Sequence, residues 1–291
     1  MTRDSGRKAT GAGHAGRHVR GASTVVLKLG GELIETDEKV KALGKAIAAA
    51  ARKGPLVVVH GGGRDIDAAL AHAGIPKRQV DGLRVTDKAT LEIVVSVLAG
   101  TVNTRFVAAI NAAGGRAVGL TGADAGVAPV KKAPAHRATG GGVVDLGLVG
   151  LPIDAPAPAL LASLCAAGFV PVVACIGAAR NGQLFNVNAD TLAGSLAGRL
   201  GAGRLVIAGT TPGVLDAQGA TIASLTGRDI RQLVTAGTAS AGMVAKLTAC
   251  QAALTGGAKR VSIVDGRDPT LLQRAVAGQT TDGATEITKN K

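Results

Sequence analysis

The chain has 291 residues, of which 46% are hydrophobic, and is long enough for one large or two modest domains around a substantial core. It contains no uninterrupted apolar run of about 18 residues and no apolar stretch near its start, so we expect neither a membrane span nor a secretory signal. Its three cysteines are dispersed in apolar contexts, which indicates reduced, packed thiols in the cytoplasm rather than a disulfide framework or a zinc site.

The formal net charge of +13 is spread along the chain, with a local basic surplus in the first 24 residues. Such a surplus suits anionic small molecules as well as polymers. With no Trp, no Tyr and three Phe, the chain offers few platforms on which bases could stack, so the composition argues against nucleic-acid binding. Residues 1–23 show no helical period of apolar residues and are predicted to form a disordered basic tail.

The first predicted element is the buried strand Val25–Leu29, which carries Lys28 and ends at Gly30 and Gly31. Burying an unpaired ammonium costs several kcal/mol, so Lys28 either lies at a surface or meets an anionic partner. Glycine N–H groups at a strand end form a concavity of positive potential, which favours phosphate as that partner. A solvent-facing lysine on an edge strand, followed by an ordinary turn, is the alternative.

A second glycine loop follows the next strand. The pattern predicts an amphipathic helix over residues 39–52, a buried strand over residues 56–59 and a helix over residues 65–73, with Gly61, Gly62 and Gly63 between the last two. In open α/β sheets ligands bind at the carboxyl ends of strands, so both glycine loops are expected to face one crevice. A flexible connector is the alternative, and the glycine spacing matches neither a dinucleotide-binding fingerprint nor a P-loop.

Apolar residues alternate along residues 80–87, which predicts a short hairpin, and a long helix is predicted over residues 88–113. Arg84 on this hairpin suits bidentate recognition of a carboxylate, although a plain surface arginine fits equally well. Thr86 and Asp87 predict the cap of the long helix. The next predicted elements are a strand at 118–122, a basic glycine-rich loop at 131–142, a strand at 143–149, a helix at 159–167 and a strand at 169–175.

Polar residues then alternate before a helix predicted over residues 191–200. Asp190 can cap that helix, which would be a sufficient structural role. On an extended segment, however, Asn186, Asn188 and Asp190 project to one side, and a polar face beside a buried strand indicates contacts with a ligand and with lysines.

The strand and helix pattern restarts after residue 201. Gly242 stands near the start of a helix predicted at 243–254, and Lys246 lies within its first turns, where a lysine would ordinarily be solvated. The alternation predicts an α/β protein with two lobes that share a sheet. The other elements predicted here are strands at 204–208 and 260–264 and helices at 228–236 and 269–276.

Five separated stretches together resemble the amino-acid kinase family and, more narrowly, its acetylglutamate kinase branch. The resemblance covers residues 24–278 and implies a three-layer αβα sandwich around a mainly parallel central sheet. It also implies an amino-acid-substrate and dimerisation lobe over residues 24–200 and a nucleotide-binding lobe over residues 201–291. The stretches are Lys28-Leu-Gly-Gly31, His60-Gly-Gly-Gly63, Gly82-Leu-Arg-Val-Thr86, Asn186-Val-Asn-Ala-Asp190 and Gly242-Met-Val-Ala-Lys246.

The resemblance implies ATP-dependent phosphorylation of the γ-carboxylate of N-acetyl-L-glutamate in arginine biosynthesis, with Mg²⁺ held mainly by the ATP phosphates and no metal held by the protein. Because that carboxylate is ionised at neutral pH, the reaction requires no general base. The implied roles are catalysis for Lys28, Asp190 and Lys246, substrate binding for Gly62, Gly63, Arg84 and Asn186, and phosphate or nucleotide binding for Gly30, Gly31, Gly61 and Gly242.

The chain departs from the family pattern in two places. Thr210 stands where the family often has an aspartate near the nucleotide, which puts the base contacts in doubt. Residues 1–23 lack the apolar period of the N-terminal helix that assembles arginine-inhibited members into hexamers, which predicts an arginine-insensitive homodimer.

Three alternatives to this function remain open at the level of sequence. The first is a kinase for a related acetylated or carrier-linked aminoadipate or glutamate, with the basic residues 131–137 facing an acidic carrier protein. The second is a non-catalytic regulatory homologue, although a binder would not need both phosphate lysines. The third is a basic nucleic-acid-binding protein.

Overall fold

The computed structural model describes residues 23–237, 241–279 and 282–289, so the tail predicted for residues 1–23 lies outside the described residues except for Ser23. Short strands alternate with helices along the described chain. The strands are β1 (Val25–Leu29), β2 (Leu56–His60), β3 (Gln79–Val80), β4 (Leu83–Arg84), β5 (Ala117–Thr121), β6 (Val130–Lys132), β7 (His136–Arg137), β8 (Val143–Val144), β9 (Val149–Pro152), β10 (Val170–Ala174), β11 (Ile176–Ala178), β12 (Leu184–Val187), β13 (Arg204–Gly209), β14 (Ser224–Thr226), β15 (Val261–Asp265) and β16 (Thr285–Thr288).

A π-helical segment, Ser96–Val102, joins two of the α-helices into one continuous helix, as the long apolar pattern predicts. The α-helices are α1 (Asp37–Ala51), α2 (Gly63–His72), α3 (Lys88–Val95), α4 (Asn103–Ala112), α5 (Ala159–Ala166), α6 (Ala189–Arg199), α7 (Gly227–Thr235), α8 (Ala241–Gly256) and α9 (Pro269–Ala277).

Eight strands form the central sheet in the order β14-β16-β15-β13-β1-β2-β10-β5. All neighbours pair in parallel except β15 and β16, which are antiparallel. The middle strands are nearly continuous apolar runs because helices cover both faces of a parallel sheet and leave no face in water. Strand β1 lies at the centre of this sheet, and its Lys28 is paired in register with Val59 on one side and Ile207 on the other.

Helices form a layer on each face of the sheet. One group packs α1 against α4 and α9, and the other packs α6 against α8 and against β1 and β13. The fold is therefore the αβα sandwich around a mainly parallel sheet that the sequence predicts. A second, four-stranded sheet of order β11-β12-β9-β6 lies beside the central one.

The continuous helix Lys88–Ala112 is long and apolar enough to cross a membrane by length and composition alone. In the fold, its apolar side chains at one- and two-turn intervals are buried in the core rather than presented to lipid. They are Val94, Leu98, Val102, Phe106 and Ile110. This burial explains the apolar composition without a membrane, because one stripe of a helix packed on a sheet must be apolar.

The sequence prediction is wrong in several regions of the described chain. The basic loop predicted over residues 131–142 contains the end of β6 and all of β7, and the strand predicted over residues 143–149 divides into β8 and the start of β9. Strands β14 and β16 were not predicted. Strands β7 and β8 pair with each other but are only two residues long, and β14 pairs with β16 far along the chain. Local apolar periodicity therefore gives little signal for any of them.

Candidate active site

The carboxyl ends of β1, β2 and β13 meet at one edge of the central sheet. In register, Leu29 is flanked by His60 and Ala208, so the segments that follow these residues leave the sheet side by side. Gly30 N donates to the Ala208 carbonyl at 3.0 Å, and Gly61 N donates to the Leu29 carbonyl at 3.3 Å. The two glycine loops therefore face the same crevice, as the sequence predicts.

The two loops approach each other more closely than side chains would permit. A Cβ atom added to Gly31 would lie 2.9 Å from the backbone N of Gly62 and 3.0 Å from that of Gly63. A Cβ atom added to Gly62 would lie 2.8 Å from Leu98 in the π-helical segment. Glycine is required here for close approach, and the N–H groups of the second loop are brought up to the first.

Lys28, Asp190 and Lys246 meet in this crevice from β1, α6 and α8. Lys28 Nζ lies 2.8 Å from Asp190 Oδ1, and Lys246 Nζ lies 3.6 Å from Asp190 Oδ2. Lys28 and Asp190 are 5% and 6% exposed. Burial alone would raise the pKa of Asp190, but the two lysines outweigh it and hold that pKa below its ordinary value. Two ammonium groups therefore share one carboxylate, and the cluster keeps a surplus positive charge.

Asp190 does not cap helix α6. Asn188 is the N-cap, and its side chain accepts a hydrogen bond from Thr191 N at 3.0 Å. Asp190 lies in the first helical turn, beyond the extended segment that the alternation of polar residues assumed. Because the chain has already turned into the helix, the Asp190 carboxylate points at the two lysines. The side-chain oxygen of Asn188 instead accepts the backbone N–H of Thr191.

Arg84 is buried on β4, and its guanidinium group forms only some of the hydrogen bonds that it could donate. Its Nη2 lies 2.5 Å from Asp67 Oδ1 and 3.3 Å from the Gly63 carbonyl oxygen, whereas its buried Nη1 has no hydrogen-bond partner among the described residues. Lys77 contacts the second oxygen of Asp67 at 2.6 Å. The Nη1 edge of this guanidinium, beside the glycine loop, therefore has a donor that could bind an anionic oxygen.

Asn186 is brought next to this hairpin. Its Nδ2 donates to Thr86 Oγ1 at 3.2 Å, and Thr86 Oγ1 donates to the Arg84 carbonyl at 3.1 Å. Asp87 caps α3 by accepting from Thr90 N, so the predicted cap is confirmed at Asp87. The fold thus links Arg84 and Asn186, which lie far apart in the sequence, through one buried threonine.

The other side of the crevice is formed by the end of β13 and the start of α8. A Cβ atom on Gly209 would lie 3.7 Å from both Lys246 Cε and Glu32 Oε1. Thr210, where the family pattern often has aspartate, follows Gly209 and is exposed. Gly242 lies in the opening turn of α8, one turn before Lys246, and among the described residues nothing lies within 4 Å of its Cβ position.

The described residues contain no group of three or more His, Cys, Asp or Glu side chains that could hold a metal ion. Asp190 is engaged by both lysines, which leaves it unsuited to act as a metal ligand.

Several residues of the site were given no role by the sequence analysis. Glu32 lies against Gly30, Asp67 holds Arg84, and His60 and Asn103 form a buried pair behind the second glycine loop. His60 stands next to the glycines in the sequence, which is a usable signal. Asp67 and Asn103 are set by contacts between segments distant in the chain, and nothing in the local sequence marks them or Glu32.

Comparison with known proteins agrees with this geometry. The family model described as the amino acid kinase family matches residues 23–265. Curated relatives include an acetylglutamate kinase of Novosphingobium aromaticivorans, 41% identical over 256 residues that make up 84% of each chain. Another is an acetylglutamate kinase of an Azoarcus species, 46% identical over 213 residues that cover 72% of this chain and 71% of the relative.

Solved structures share the fold. N-acetylglutamate synthase from Neisseria gonorrhoeae, complexed with coenzyme A and N-acetyl-glutamate, superposes with a TM-score of 0.78 at 26% identity, over 92% of this chain and 60% of that one. Carbamate kinase from Giardia lamblia bound to AMP-PNP gives a TM-score of 0.67 at 15% identity, which shows the fold alone. With its fold, crevice and relatives in agreement, this chain belongs to the amino acid kinase family.

Proposed function

We propose that this protein is an acetylglutamate kinase, which transfers the γ-phosphoryl group of ATP to the γ-carboxylate of N-acetyl-L-glutamate in arginine biosynthesis. The observation that carries the proposal is the cluster of Lys28, Asp190 and Lys246 at the edge of the sheet where two glycine loops converge. The identity of the curated relatives, 41% and 46% in the two cases above, supports this substrate over others of the family.

In the reaction, an oxygen of the substrate carboxylate forms a bond to the γ-phosphorus as the bond from that phosphorus to the ADP oxygen breaks. The products are an acyl phosphate and ADP, and no proton is transferred, so the reaction requires no general base. Catalysis then consists of positioning two anions and stabilising the charge of the moving phosphoryl group. Lys28 contacts that group, Lys246 contacts the ATP phosphates, and Asp190 keeps the two ammonium groups in place.

The glycine loops supply N–H donors that need no reorganisation during the transfer. In this proposal Gly62 and Gly63 contact the substrate side, and Gly30, Gly31 and Gly61 contact the phosphates. Gly62 lies where the two sides meet, at the point where the substrate carboxylate receives the phosphoryl group. Gly242, at the start of α8, also serves the nucleotide side.

Arg84 and Asn186 hold N-acetylglutamate, with Arg84 on its α-carboxylate. The buried Nη1 of Arg84 that has no partner among the described residues supports this role, because a carboxylate oxygen would satisfy it. These residues lie in the proposed substrate lobe, residues 24–200, whereas Lys246 and the end of β13 lie in the proposed nucleotide lobe, residues 201–291. Both lobes contribute strands to the central sheet, so the crevice lies where they join.

ATP is the phosphoryl donor of the family, and we propose Mg²⁺ as the accompanying ion. When bound, Mg²⁺ would neutralise charge on the β- and γ-phosphates. Activity should be lost when EDTA exceeds total Mg²⁺ and should return when Mg²⁺ is added back. Full turnover in excess EDTA would contradict the metal requirement.

The function is tested by measuring ADP release and trapping the acyl phosphate with hydroxylamine. Purified protein with Mg-ATP should give both signals with N-acetylglutamate and much weaker ones with glutamate, aspartate and N-acetylaminoadipate. A carrier-linked glutamate or aminoadipate tests the rival kinase, since Lys131 and Arg137 are exposed and basic. Preference for the carrier-linked form, or absence of any acyl phosphate, would overturn the proposal. The chain spans 60% of the synthase structure, and the synthase activity is not proposed for it.

We propose a cytoplasmic homodimer that is insensitive to arginine. Strand β5 is the outer strand of the central sheet, and its Val118 and Leu120 are half-buried, so a second copy paired along β5 would cover this edge. Cys165, Cys175 and Cys250 are free thiols, which fits a reducing compartment. Light scattering should give twice the chain mass of 28.6 kDa. Hexamers, or inhibition by arginine, would contradict this assembly.

A further inference from the structure

His60 is completely buried behind the second glycine loop, and each ring nitrogen has one hydrogen-bond partner. Nδ1 lies 3.0 Å from the carbonyl oxygen of the next residue, Gly61, and Nε2 lies 3.0 Å from Asn103 Nδ2. Asn103 is itself buried and also donates from Nδ2 to the Val172 carbonyl on β10 at 2.9 Å.

These contacts fix the proton on one nitrogen of the imidazole. The Val172 oxygen can only accept, so one amide hydrogen of Asn103 points to it and the other points to His60 Nε2. Nε2 is therefore an acceptor, and the proton resides on Nδ1, which donates it to the Gly61 carbonyl. Full burial lowers the pKa of His60 to about 4, so the ring is neutral near pH 7.

The bond to the Gly61 carbonyl sets the direction of the next N–H group. In a planar trans peptide the C=O and N–H bonds point in opposite directions, so holding the Gly61 oxygen towards His60 aims the Gly62 N–H away from it. The Gly62 nitrogen lies beside the first glycine loop, 2.9 Å from the Cβ position of Gly31. A Gly62 N–H turned away from His60 is therefore available to the space between the loops, where the phosphoryl group is proposed to move.

We propose that His60, held by Asn103, is a positioning residue that aims the Gly62 N–H at the transferred phosphoryl group. This inference rests on the proposed function. Two further contacts hold His60. The Phe106 ring packs edge-on against the imidazole, with 6.4 Å between the ring centroids, and the Cys175 sulfur lies 2.9 Å from the His60 carbonyl oxygen.

Two substitutions at His60 separate its two hydrogen bonds. His60→Asn places an amide nitrogen near the Nδ1 position, which keeps the bond to Gly61 and loses the one to Asn103. His60→Gln places an amide oxygen near the Nε2 position, which keeps the bond to Asn103 and loses the one to Gly61. Each variant loses one buried hydrogen bond, so the two serve as matched controls for stability.

We expect His60→Gln to lower kcat by about 10–100-fold with the KM values little changed, because a misaimed donor affects the transition state more than the bound substrates. His60→Asn should keep kcat within about threefold of the parent protein. Leu272→Ala, a core substitution in α9 far from the loop, measures the effect of lost stability alone. Equal kcat losses in the two His60 variants would overturn the proposal.

The tautomer gives a readout that does not depend on activity. NMR of the ¹⁵N-labelled imidazole in the intact protein should show a protonated Nδ1 and an unprotonated Nε2 for His60. The opposite tautomer would overturn the inference even in an active kinase. If the predicted tautomer is observed and no acyl phosphate forms in the parent protein, the proposed function has failed, and the role in transfer fails with it.

Discussion

Lys28 and Lys246 contact opposite oxygens of one buried carboxylate, although Lys28 lies on the central strand β1 and Lys246 on helix α8. Asp190 fixes the two ammonium groups on either side of itself and neutralises only one of the two charges. Leaving surplus charge in a buried site is costly, and a phosphate that enters between the loops would compensate it. The cluster is therefore better suited to bind and release an anion than to stabilise the fold.

Replacing Lys28 should affect turnover more than folding. We expect Lys28→Met to lower kcat by about 10²–10³-fold, which is the typical effect of removing one group that stabilises developing charge. The KM for N-acetylglutamate should change little, since Lys28 contacts the moving phosphoryl group. Steady-state ADP release measures both constants.

The exposed Lys45 on α1 provides the matched control for Lys28. Lys45→Met removes the same charge and should keep full activity. A Lys28→Met protein with parental kcat would contradict the proposed role, and circular dichroism would show whether the variant is folded.

Arg84→Lys should weaken binding of the amino-acid substrate. A lysine keeps the charge but cannot present two parallel N–H donors, so one charged hydrogen bond is lost at a cost of about 1.5–3 kcal/mol. We therefore expect the KM for N-acetylglutamate to rise by about 10–150-fold with an unchanged KM for ATP. The same substitution at the exposed Arg180 is the control. An increase confined to the KM for ATP would assign Arg84 to the nucleotide instead.

Gly31→Ala should separate the two glycine loops. The new methyl group would lie 2.9 Å from the Gly62 backbone, which cannot move aside as a flexible side chain could. We expect a loss of about 1–3 kcal/mol in the free energy of unfolding, together with a large loss of kcat.

Gly100→Ala is the matched control, because Gly100 lies in the π-helical segment with open space at its Cβ position. This variant should be unchanged in activity and more stable by about 0.5–1 kcal/mol. Denaturant unfolding measures both changes, and equal effects of the two substitutions would argue against the close approach of the loops.

His60 should make the stability of the protein sensitive to mildly acidic pH. Its pKa falls on folding from 6.5 to about 4, so between these values the unfolded chain binds a proton that the folded chain does not. The contribution of neutral His60 to the free energy of unfolding is fully present above about pH 6.5 and is lost by about pH 4. At about 1.4 kcal/mol per pKa unit, the full loss is about 3 kcal/mol.

Urea unfolding measured between about pH 7.5 and about pH 4.5 tests this dependence. His60→Asn should remove most of the decrease in this interval, whereas His72→Asn, at an exposed histidine, should retain it. An unchanged decrease in His60→Asn would assign it to other groups.

Several elements of the fold could be predicted because their signal is local. The run Val25–Leu29 is apolar except for Lys28 and is followed by two glycines, and the observed strand has these bounds. The helix predicted over residues 39–52 forms at Asp37–Ala51, with its apolar stripe buried. The short pairings at the edges of the sheet could not be predicted, because their stability comes from partners far along the chain.

The sequence by itself determined the α/β architecture, the two glycine loops and, through the spacing of five stretches, the family. The local pattern left two interpretations open for each of Lys28 and Asp190 and predicted an ordinary solvated lysine at Lys246, and their catalytic roles were implied by the resemblance alone. Only the tertiary structure decided among these, because a parallel sheet brings the ends of separate strands to one edge and packs α6 beside α8. Burial then makes the pairing of Asp190 with both lysines necessary, and no local pattern encodes that burial.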